Sequence, residues 1–381
     1  MRETLSYNPG TVKLDESPSR AGGLPLLIRE QLRPHLGWHG ARLGFVAMFM
    51  VALFRAKTVN LAELATVWMG KAEEESNYKR MQRFFSAFDV EMSQIAIMVM
   101  KIAKIPQPWV LSIDRTNWSF GQTHFNILML CVVHEGIGYP LLWQMLDKKG
   151  NSNSGERMDL LERFDTVFPE IQIAYLTGDR EFIGKEWLSY LLIETPIPFR
   201  QRIRHSDKIA PAPAQDGVSA AQVFANLKVG ETRILSGRHW VWGRPVYVVG
   251  TRLEANPKDD DAFLILITNT TPETALCDYA CRWGIETLFG ALKTRGFCLE
   301  ATHFTDASRL SKLVALLAIA FVWAMKAGLW RHAHKPIRIK KHGRRAHSLF
   351  RYGFDILRRF FSNLDSSFEL NCNPLHFLSC T

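Results

Sequence analysis

Two short apolar runs that each end on an aspartate are the strongest constraint on how this chain can fold. The first is Trp109–Asp114, "WVLSID", and the second is Ile171–Asp179, "IQIAYLTGD". Between them lie two further strand-like runs, at 124–133 and 139–146, and a helical pattern at 154–168. Hairpin-length connections join the first three strands, and the helix provides a crossover to the fourth. This order predicts an antiparallel meander joined to a parallel strand in a mixed α/β protein.

Asp114 and Asp179 are therefore expected to lie side by side, because each is predicted to close a buried strand. In open sheets of this kind, ligands bind at the carboxyl ends of the strands. Neighbouring strands lie about 4.8 Å apart, so carboxylates at two adjacent strand ends can share one site. The pattern predicts a functional centre at this edge of the sheet.

The segment Tyr279–Phe297, "YACRWGIETLFGALKTRGF", is typical of an amphipathic helix with a narrow polar stripe. At about 100° per residue, four polar side chains fall within about 60° of one another; they are Tyr279, Arg282, Glu286 and Lys293. Trp283 points away from this stripe and is expected in the core. Taken alone, the stripe also fits a solvent-exposed helix face on which Arg282 and Glu286 form an ion pair one turn apart.

The two aspartates give Glu286 a possible chemical role. Three carboxylates, two at strand ends and one on a following helix, are the minimum set for a pair of divalent cations that activate water and stabilise a leaving oxygen in phosphodiester displacement. Mg²⁺ prefers a few carboxylates together with water and phosphate oxygens. Arg282 and Lys293 are suited to hold phosphates beside such ions. These residues favour a metal-dependent enzyme acting on a phosphodiester.

The charge balance favours a polyanionic partner. The 381 residues include 47 Lys and Arg against 37 Asp and Glu, a formal net charge of +10. Such an excess suits DNA or RNA first and a membrane surface second. It fits poorly with a hydrolase that uses paired carboxylates on small substrates. The hydrophobic content of 47% indicates a folded globular chain.

Neither the cysteines nor the apolar segments point to secretion or to a membrane. Six cysteines occur without a CxxC pair, which predicts reduced thiols rather than a disulfide framework or a zinc site. The first twenty residues lack an apolar run, so no signal peptide is expected and a cytoplasmic location is predicted. The run Leu313–Trp330 approaches the length of a membrane span but contains Lys326, and a helix buried in the protein core is expected there.

Residues 1–105 are interpreted as a polar arm followed by a helical DNA-binding domain. Apolar periodicity predicts helices near 41–54, 60–70, 76–87 and 90–104. The third of these helices carries the cations Lys79, Arg80 and Arg83. A basic helix in a compact helical domain can dock on DNA in the helix-turn-helix manner. A solvated cationic face explains the same pattern equally well.

The rest of the chain divides into four predicted segments. They are a first part of the α/β core at 106–195, a β-rich, arginine-rich insertion at 196–261, a second part of the core at 262–333, and a basic C-terminal region at 334–381. Seven Lys or Arg occur between Arg331 and Arg345, and no Asp or Glu occurs between Ala307 and Phe354. Such a run favours phosphate contact over self-repelling disorder.

The polar stripe resembles a known signature, that of the bacterial insertion-sequence transposases of the DDE superfamily, specifically the insertion-sequence-four family. The family signature is Y-(2)-R-(3)-E-(6)-K. This sequence matches it residue by residue at Tyr279, Arg282, Glu286 and Lys293.

Both aspartates also occur in the contexts of that family. The first aspartate of the family lies at the end of the first core strand, as Asp114 does in "LSIDRTNW". The second lies in a D-R-E context, as Asp179 does in "TGDREFIG". The resemblance covers residues 75–330, and the arm and the tail match less specifically.

The resemblance implies a ribonuclease H-like catalytic core with a β-rich insertion, preceded by the helical N-terminal domain. It implies a transposase that binds the inverted repeats at the ends of an insertion sequence, cleaves them and joins them to target DNA. Members with such an insertion typically cut and paste through DNA hairpins. Two Mg²⁺ ions, which Mn²⁺ can replace, would be held by Asp114, Asp179 and Glu286.

The resemblance also implies which residues contact DNA. Tyr279, Arg282 and Lys293 would bind the terminal DNA, and Arg180 of the D-R-E context is a further candidate. In relatives a tryptophan of the insertion stacks on a flipped base. Trp240 and Trp242 are the candidates here, although packing within the β layer explains either equally well. The implied partners are double-stranded DNA from the element ends and the target, and a second copy of the chain in a homodimeric synaptic complex at the bacterial nucleoid.

Two other functions remain open from the sequence. One is a non-catalytic DNA-binding inhibitor derived from a transposase, which the loss of one acidic ligand would favour; all three are present. The other is a host structure-specific nuclease on the same core, against which Lys293 and the helical N-terminal segment argue. Terminal inverted repeats around the gene would distinguish a transposase from a host nuclease.

Overall fold

The computed structural model describes residues 20–254, 261–341, 343–362 and 373–378. The predicted polar arm therefore lies almost entirely outside the described residues. Five helices precede the sheet: α1 Arg20–Leu32, α2 Gly40–Ala56, α3 Leu61–Thr66, α4 Glu74–Ala87 and α5 Met92–Ala103. The four helices expected in this region are thus present, although the second is shorter than predicted.

The N-terminal helices pack onto the rest of the protein. Phe45 of α2 stacks on Phe84 of α4 with ring centroids 4.0 Å apart. The buried side chains of these helices belong to the same continuous apolar cluster as those of the sheet. Local signals still fix their ends, as at Asn60, whose side chain accepts a hydrogen bond from the Ala62 N–H at 3.0 Å and caps α3.

A large mixed sheet forms the middle of the protein. Its strands are β1 Trp109–Phe120, β2 Thr123–His134, β3 Ile137–Met145, β4 Ile173–Gly178, β5 Phe199–Arg202, β6 Lys208–Ala210, β7 Val218–Ser219, β8 Thr232–Ile234, β9 His239–Val241, β10 Arg244–Arg252 and β11 Phe263–Thr268. Across the described residues the order is β3-β2-β1-β4-β5-β11-β10-β9-β6-β7, with β8 paired to β10.

The first four strands pair as the sequence predicts. β1, β2 and β3 form an antiparallel meander. Helix α6, Ser154–Val167, then crosses over to β4, which pairs with β1 in parallel. Asn153 and Glu156 close a capping box at the start of α6, which fixes where the crossover helix begins. The prediction of a mixed α/β fold is confirmed.

The β-rich segment at 196–261 extends this sheet instead of forming a separate layer. β5 pairs with β4 in parallel, and β10 joins the sheet through β11, a strand of the following segment that pairs antiparallel with both β5 and β10. The sheet therefore runs without a break from the two aspartate-bearing strands into this segment. The division of the chain into domains remains a prediction.

Seven further α-helices belong to the described fold: α6 and, after β4, α7 Lys185–Ser189, α8 Ala220–Val223, α9 Ala275–Ala280, α10 Trp283–Leu292, α11 Ala307–His334 and α12 Leu349–Ser362. A π-helix at Tyr190–Glu194 and short 3-10 helices at Leu299–Ala301 and Pro374–Leu378 are also present. Helix α11 is long and apolar enough to cross a membrane by length and composition, but 83% of its apolar window is buried inside the protein. The expectation of a core helix at this position is confirmed.

Helix α12 lies in the basic C-terminal region, where no helix was predicted. Its buried residues Phe350, Phe354, Leu357 and Phe361 recur at helical spacing. A Cβ at Gly353 would collide with backbone atoms of α11, so glycine lets the two helices approach at backbone contact. The sequence does contain this apolar stripe, but it follows directly on a basic run, and the region was interpreted from its charge alone.

The described cysteines are free thiols, as expected. Cys131 is buried, Cys281 and Cys298 are half-buried, and Cys277 is exposed. The predictions for Cys372 and Cys380 fall outside the described residues.

Candidate active site

Asp114 and Asp179 lie side by side at the end of a parallel strand pair. The parallel register between β1 and β4 ends at Ile113 opposite Gly178, and each aspartate is the next residue. One detail of the prediction is wrong, because β1 does not stop at Asp114. It continues to Phe120 by antiparallel pairing with β2 alone. The end of the apolar run thus marks the end of the parallel pairing, not the end of the strand.

Asp114 is a buried carboxylate, with 9% of the residue exposed. Burial raises the pKa of this carboxyl to about 7, against the opposing effect of the nearby Arg282 guanidinium. Its Oδ1 accepts a hydrogen bond from the Arg115 N–H at 2.7 Å, and its Oδ2 accepts one from Arg282 Nη1 at 3.0 Å. A carboxylate removed from water in this way depends on a neighbouring cation for its charged form.

Asp179 is more open and faces Tyr279. The Tyr279 hydroxyl donates to Asp179 Oδ1 at 3.3 Å, and the Arg180 N–H donates to the same oxygen at 2.8 Å. Burial raises the pKa of the Tyr279 phenol well above its usual range. The tyrosine therefore stays protonated and acts as a hydrogen-bond donor that orients the Asp179 carboxylate. Arg202 Nη1 lies 3.8 Å from the same carboxylate oxygen.

Arg282 connects Glu286 to this pair. Its Nη1 contacts Asp114 Oδ2 at 3.0 Å and Glu286 Oε1 at 3.4 Å. One guanidinium nitrogen thus contacts a carboxylate oxygen of Asp114 and a carboxylate oxygen of Glu286 at the same time. Only 12% of the Arg282 side chain is exposed, against 41% for Glu286. The structure therefore brings together Asp114, Asp179, Tyr279, Arg282 and Glu286.

The predicted single helix at Tyr279–Phe297 is in fact two helices, α9 and α10. Between them the backbone hydrogen bonds shorten to three-residue spacing, as in the bond from the Arg282 N–H to the Tyr279 carbonyl at 2.9 Å. This tighter turn changes the direction of the residues after it. Trp283, the first residue of α10, is 65% exposed, which overturns the expectation that it packs in the core.

Lys293 lies just after the end of α10 and contacts the far end of β1. Its Nζ donates to the Asn117 carbonyl at 3.0 Å and pairs with Glu300 at 2.9 Å. It also lies 5.3 Å from the centre of the Trp118 ring. Lys293 thus lies along the part of β1 that extends beyond Asp114. The structure places it at the side of the carboxylate group.

A second set of interactions, which sequence reasoning missed, ties the two aspartate segments together. Arg115 contacts Glu181 with two nitrogens, Nε at 3.1 Å and Nη2 at 3.0 Å. Its Nη1 also donates to Asn126 Oδ1 at 3.0 Å. Arg157, which is 3% exposed, donates to the carbonyl oxygen of Glu181 at 2.8 Å. The only sequence signals were the arginine immediately after Asp114 and the glutamate two residues after Asp179.

Arg180 lies at a basic recess beside Asp179. The recess has a volume of about 360 Å³, and Arg180, Arg202, Arg204 and His205 line it together with Asp261. Arg180 and Arg202 both form ion pairs with Asp261. These cations lower the pKa of Asp261 although its burial acts in the opposite direction. The guanidinium of Arg180 is therefore engaged with Asp261 in this structure.

The remaining candidates lie elsewhere on the fold. Lys79, Arg80 and Arg83 are exposed on α4, and Lys79 pairs with Glu75 at 2.7 Å. Trp240 is half-buried on β9. Trp242 is half-buried in the turn after β9 and packs against the core.

The carboxylate oxygens of Asp114, Asp179 and Glu286 are suitable ligands for a hard divalent cation. In this structure, however, the three carboxylates are not grouped closely enough to hold one. Among the described residues, no group of three His, Cys, Asp or Glu side chains is close enough to hold a metal ion. The Arg282 guanidinium supplies the positive charge between Asp114 and Glu286 instead. Oxygen donors of this kind fit Mg²⁺ once Arg282 moves aside.

The fold and the site define a mixed α/β protein with carboxylates and cations grouped beyond a pair of parallel strands. Residues 105–323 match the family model of the transposase DDE domain. This match covers more than half of the chain, and the chain belongs to that family. Membership implies DNA as the substrate, DNA cleavage and strand transfer as the general activity, and the use of divalent metals.

The comparisons with curated proteins and with solved structures say less about function than the family match does. No curated protein matches the chain. Among solved structures, the chain is similar to the piggyBac transposase in a cryo-EM structure of its synaptic complex with hairpin DNA. The identity is 12%, the TM-score is 0.43, and the match covers 92% of this chain and 80% of that chain. A similarity this distant does not assign a function.

Proposed function

We propose that this protein is a transposase of the insertion-sequence-four type, which cleaves the ends of its element and joins them to target DNA. The match of Tyr279, Arg282, Glu286 and Lys293 to the signature of that family supports this assignment. We further propose that the core is ribonuclease H-like. The order β3-β2-β1-β4-β5, in which β2 alone runs antiparallel to its neighbours, supports this reading.

The observation that carries the proposal is a pair of carboxylates, Asp114 and Glu286, on one cation, with a third carboxylate, Asp179, at the end of the neighbouring strand. Asp114 and Asp179 follow the last paired residues of adjacent parallel strands, and Arg282 brings Glu286 to Asp114. In the proposed enzyme these three carboxylates hold two Mg²⁺ ions. Bound there, the ions would activate the attacking oxygen and stabilise the leaving oxygen of a phosphodiester.

The surrounding side chains have separate roles in the proposal. Tyr279 orients the Asp179 carboxylate by its hydrogen bond. Arg282 leaves the carboxylates when a DNA phosphate offers it a competing anion, and it then holds that phosphate at the site. Lys293, at the edge of the site, binds a phosphate farther along the same strand. Binding and positioning of the DNA are thus assigned to residues distinct from the three ligands.

The hairpin route is the finer part of the proposal. A hairpin forms when the newly freed 3′-OH attacks the opposite strand, which requires a sharply bent DNA end and a base held outside the stack. An exposed aromatic side chain can hold such a base by stacking. Trp283 is 65% exposed and directly follows Arg282, whereas Trp240 and Trp242 are half-buried. Trp283 therefore joins the two predicted tryptophans as a candidate.

Joining both ends of an element also requires that they be held together. We propose that two copies of the chain form this synaptic complex on DNA. The basic helix α4, with Lys79, Arg80 and Arg83 exposed on one face, is the proposed contact to the terminal repeats.

The test is Mg²⁺-dependent cleavage of a duplex that carries the terminal repeats of the element. Asp114→Ala, Asp179→Ala and Glu286→Ala are each expected to abolish nicking and to keep end binding. A variant that still nicks at the wild-type rate would disprove the ligand assignment. Binding by the wild type without cleavage in Mg²⁺ or Mn²⁺ would instead favour the non-catalytic inhibitor.

A further inference from the structure

The loop between α11 and α12 contains a basic hairpin, here defined as residues 335–341 and 343–346. The Lys340 N–H donates to the Arg344 carbonyl at 2.9 Å, and the Ala346 N–H donates to the Arg338 carbonyl at 2.8 Å. Gly343 makes the turn with a φ of +78°, a conformation that favours glycine. Backbone hydrogen bonds therefore join the two described arms of the hairpin.

Six exposed side chains of this hairpin are cations: Lys335, Arg338, Lys340, Lys341, Arg344 and Arg345. Pro336 and Ile339 are exposed beside them. The sequence from 307 to 354 contains no Asp or Glu, so no acid within this segment neutralises them. Like charges held this close together on one hairpin repel one another and are stabilised by a polyanion.

Packing places the base of the hairpin at the Lys293 end of the candidate site. The Tyr352 hydroxyl of α12 donates to the Lys335 carbonyl at 3.1 Å and anchors the first arm. Phe350, in the first turn of α12, lies 5.5 Å from Phe297 between ring centroids. Phe297 follows Lys293 by four residues, in the turn that ends α10. The connection from Ala346 to Phe350 spans at most about 14 Å.

From these contacts we infer that the basic hairpin binds the phosphate backbone of double-stranded DNA on the Lys293 side of the cleaved bond. The base of the hairpin is linked to Lys293 through the contact between Phe350 and Phe297 and two four-residue segments, each at most about 14 Å long. This inference rests on the proposed transposase function, since it takes the position of the DNA from the carboxylate site. The hairpin adds a contact outside the catalytic signature and outside the N-terminal helices.

The experiment measures the salt dependence of DNA binding for the full-length chain. The probes are a fluorescent duplex carrying the terminal repeats and an unrelated duplex of equal length. Lys340→Gln/Lys341→Gln is the test variant. Lys101→Gln/Lys104→Gln is the control, because it removes the same charge from two exposed positions at the end of α5. Thermal unfolding of both variants is expected to match the wild type, since all four side chains are exposed.

The hairpin variant should lose about two units from the slope of log affinity against log salt, and about tenfold or more in affinity near 0.1 M salt. The control should stay close to the wild type. A reduced slope and affinity on both duplexes indicate that the hairpin contacts DNA of any sequence. A reduction on the repeat duplex alone indicates contact with the element end. Each result supports the inference.

Two results would overturn it. The first is an unchanged slope in the hairpin variant while the wild type binds and cleaves the repeat duplex. The second is a hairpin-dependent affinity for phosphatidylserine vesicles with an unchanged DNA slope, which would assign the hairpin to a membrane surface. A failure of the proposed function looks different, because the wild type itself would then neither bind nor cleave the repeat duplex.

Discussion

The bridge between Arg115 and Glu181 should control how well the two catalytic aspartates are aligned. Arg115 directly follows Asp114, and Glu181 lies two residues after Asp179. Their side chains are 11% and 19% exposed, so water screens the pair only weakly. The double contact, at 3.0 and 3.1 Å, joins the two segments just beyond the last pairs of the parallel strands.

The expected loss of stability follows from the burial of the ion pair between Arg115 and Glu181. Removing one partner of a buried ion pair costs about 3–5 kcal/mol, and slight exposure reduces this for Arg115→Met to about 2–3 kcal/mol. Glu181→Gln keeps the volume and one acceptor oxygen, so about 1–2 kcal/mol is expected. The double variant should show a coupling energy of about 1–2 kcal/mol, since each single change already removes the shared contact.

Urea denaturation of the wild type, the two single variants and the double variant measures this coupling energy. Mg²⁺-dependent cleavage at saturating DNA measures how well the two aspartates are aligned. Glu181→Gln should lower the cleavage rate by about 10- to 100-fold, because displacements near 1 Å have effects of that order. End binding should be retained. Arg351→Met is the matched control, because its ion pair with Asp355 is 39% and 37% exposed and should contribute a few tenths of a kcal/mol. A coupling energy below about 0.5 kcal/mol, or wild-type cleavage by Glu181→Gln, would refute the reasoning.

Three shorter predictions follow from individual contacts. Gly353→Ala should destabilise the protein by about 3 kcal/mol in urea, because the added Cβ meets backbone atoms of α11, whereas Gly44→Ala, with open space around it in α2, should not. Lys293→Ala should lower the salt slope of end binding by about one unit, and an unchanged slope would contradict a phosphate contact. Trp283→Ala should change stability by less than about 0.5 kcal/mol because the side chain is exposed, and it should reduce the yield of hairpin ends on gels; an unchanged yield would remove it as a base-stacking residue.

The sequence predicts the arrangement of strands well because each early strand is marked by its own apolar run. The parallel pairing of β1 with β4 and the position of both aspartates follow directly from that pattern. The continuation of β1 to Phe120 could not be read in the same way. Its outer half has a single hydrogen-bonding neighbour, β2, and its burial falls toward Phe120, so an apolar run no longer marks it as a strand.

The segment Tyr279–Phe297, which carries the signature, shows a different limit of prediction from the sequence. A constant angle per residue assumes one continuous α-helix, and the tight turn at Cys281 and Arg282 breaks that assumption. The calculation still grouped Arg282 with Glu286, because these residues are one turn apart and lie at and just after the start of α10. The expectation of a core position for Trp283 was wrong, although its calculated direction lies only about 40° from Tyr279 and therefore beside the polar stripe. Spacing thus groups residues within one helix, but it does not decide which of them are buried.

The position of Arg282 has a thermodynamic consequence for the proposed enzyme. One guanidinium nitrogen contacts both Asp114 and Glu286, so a metal ion and this cation compete for the same carboxylates. A DNA phosphate is an alternative partner for the guanidinium and should draw it away. DNA binding and metal binding must then favour each other, and by linkage each raises the affinity for the other by the same factor. Calorimetric titration of Mg²⁺ with and without the repeat duplex measures this factor. Arg282→Met should raise Mg²⁺ affinity without DNA and reduce the coupling, because the competing cation is gone and only the direct contact between metal and phosphate still links the two events. Equal coupling in the wild type and in Arg282→Met would show that Arg282 does not link the two events.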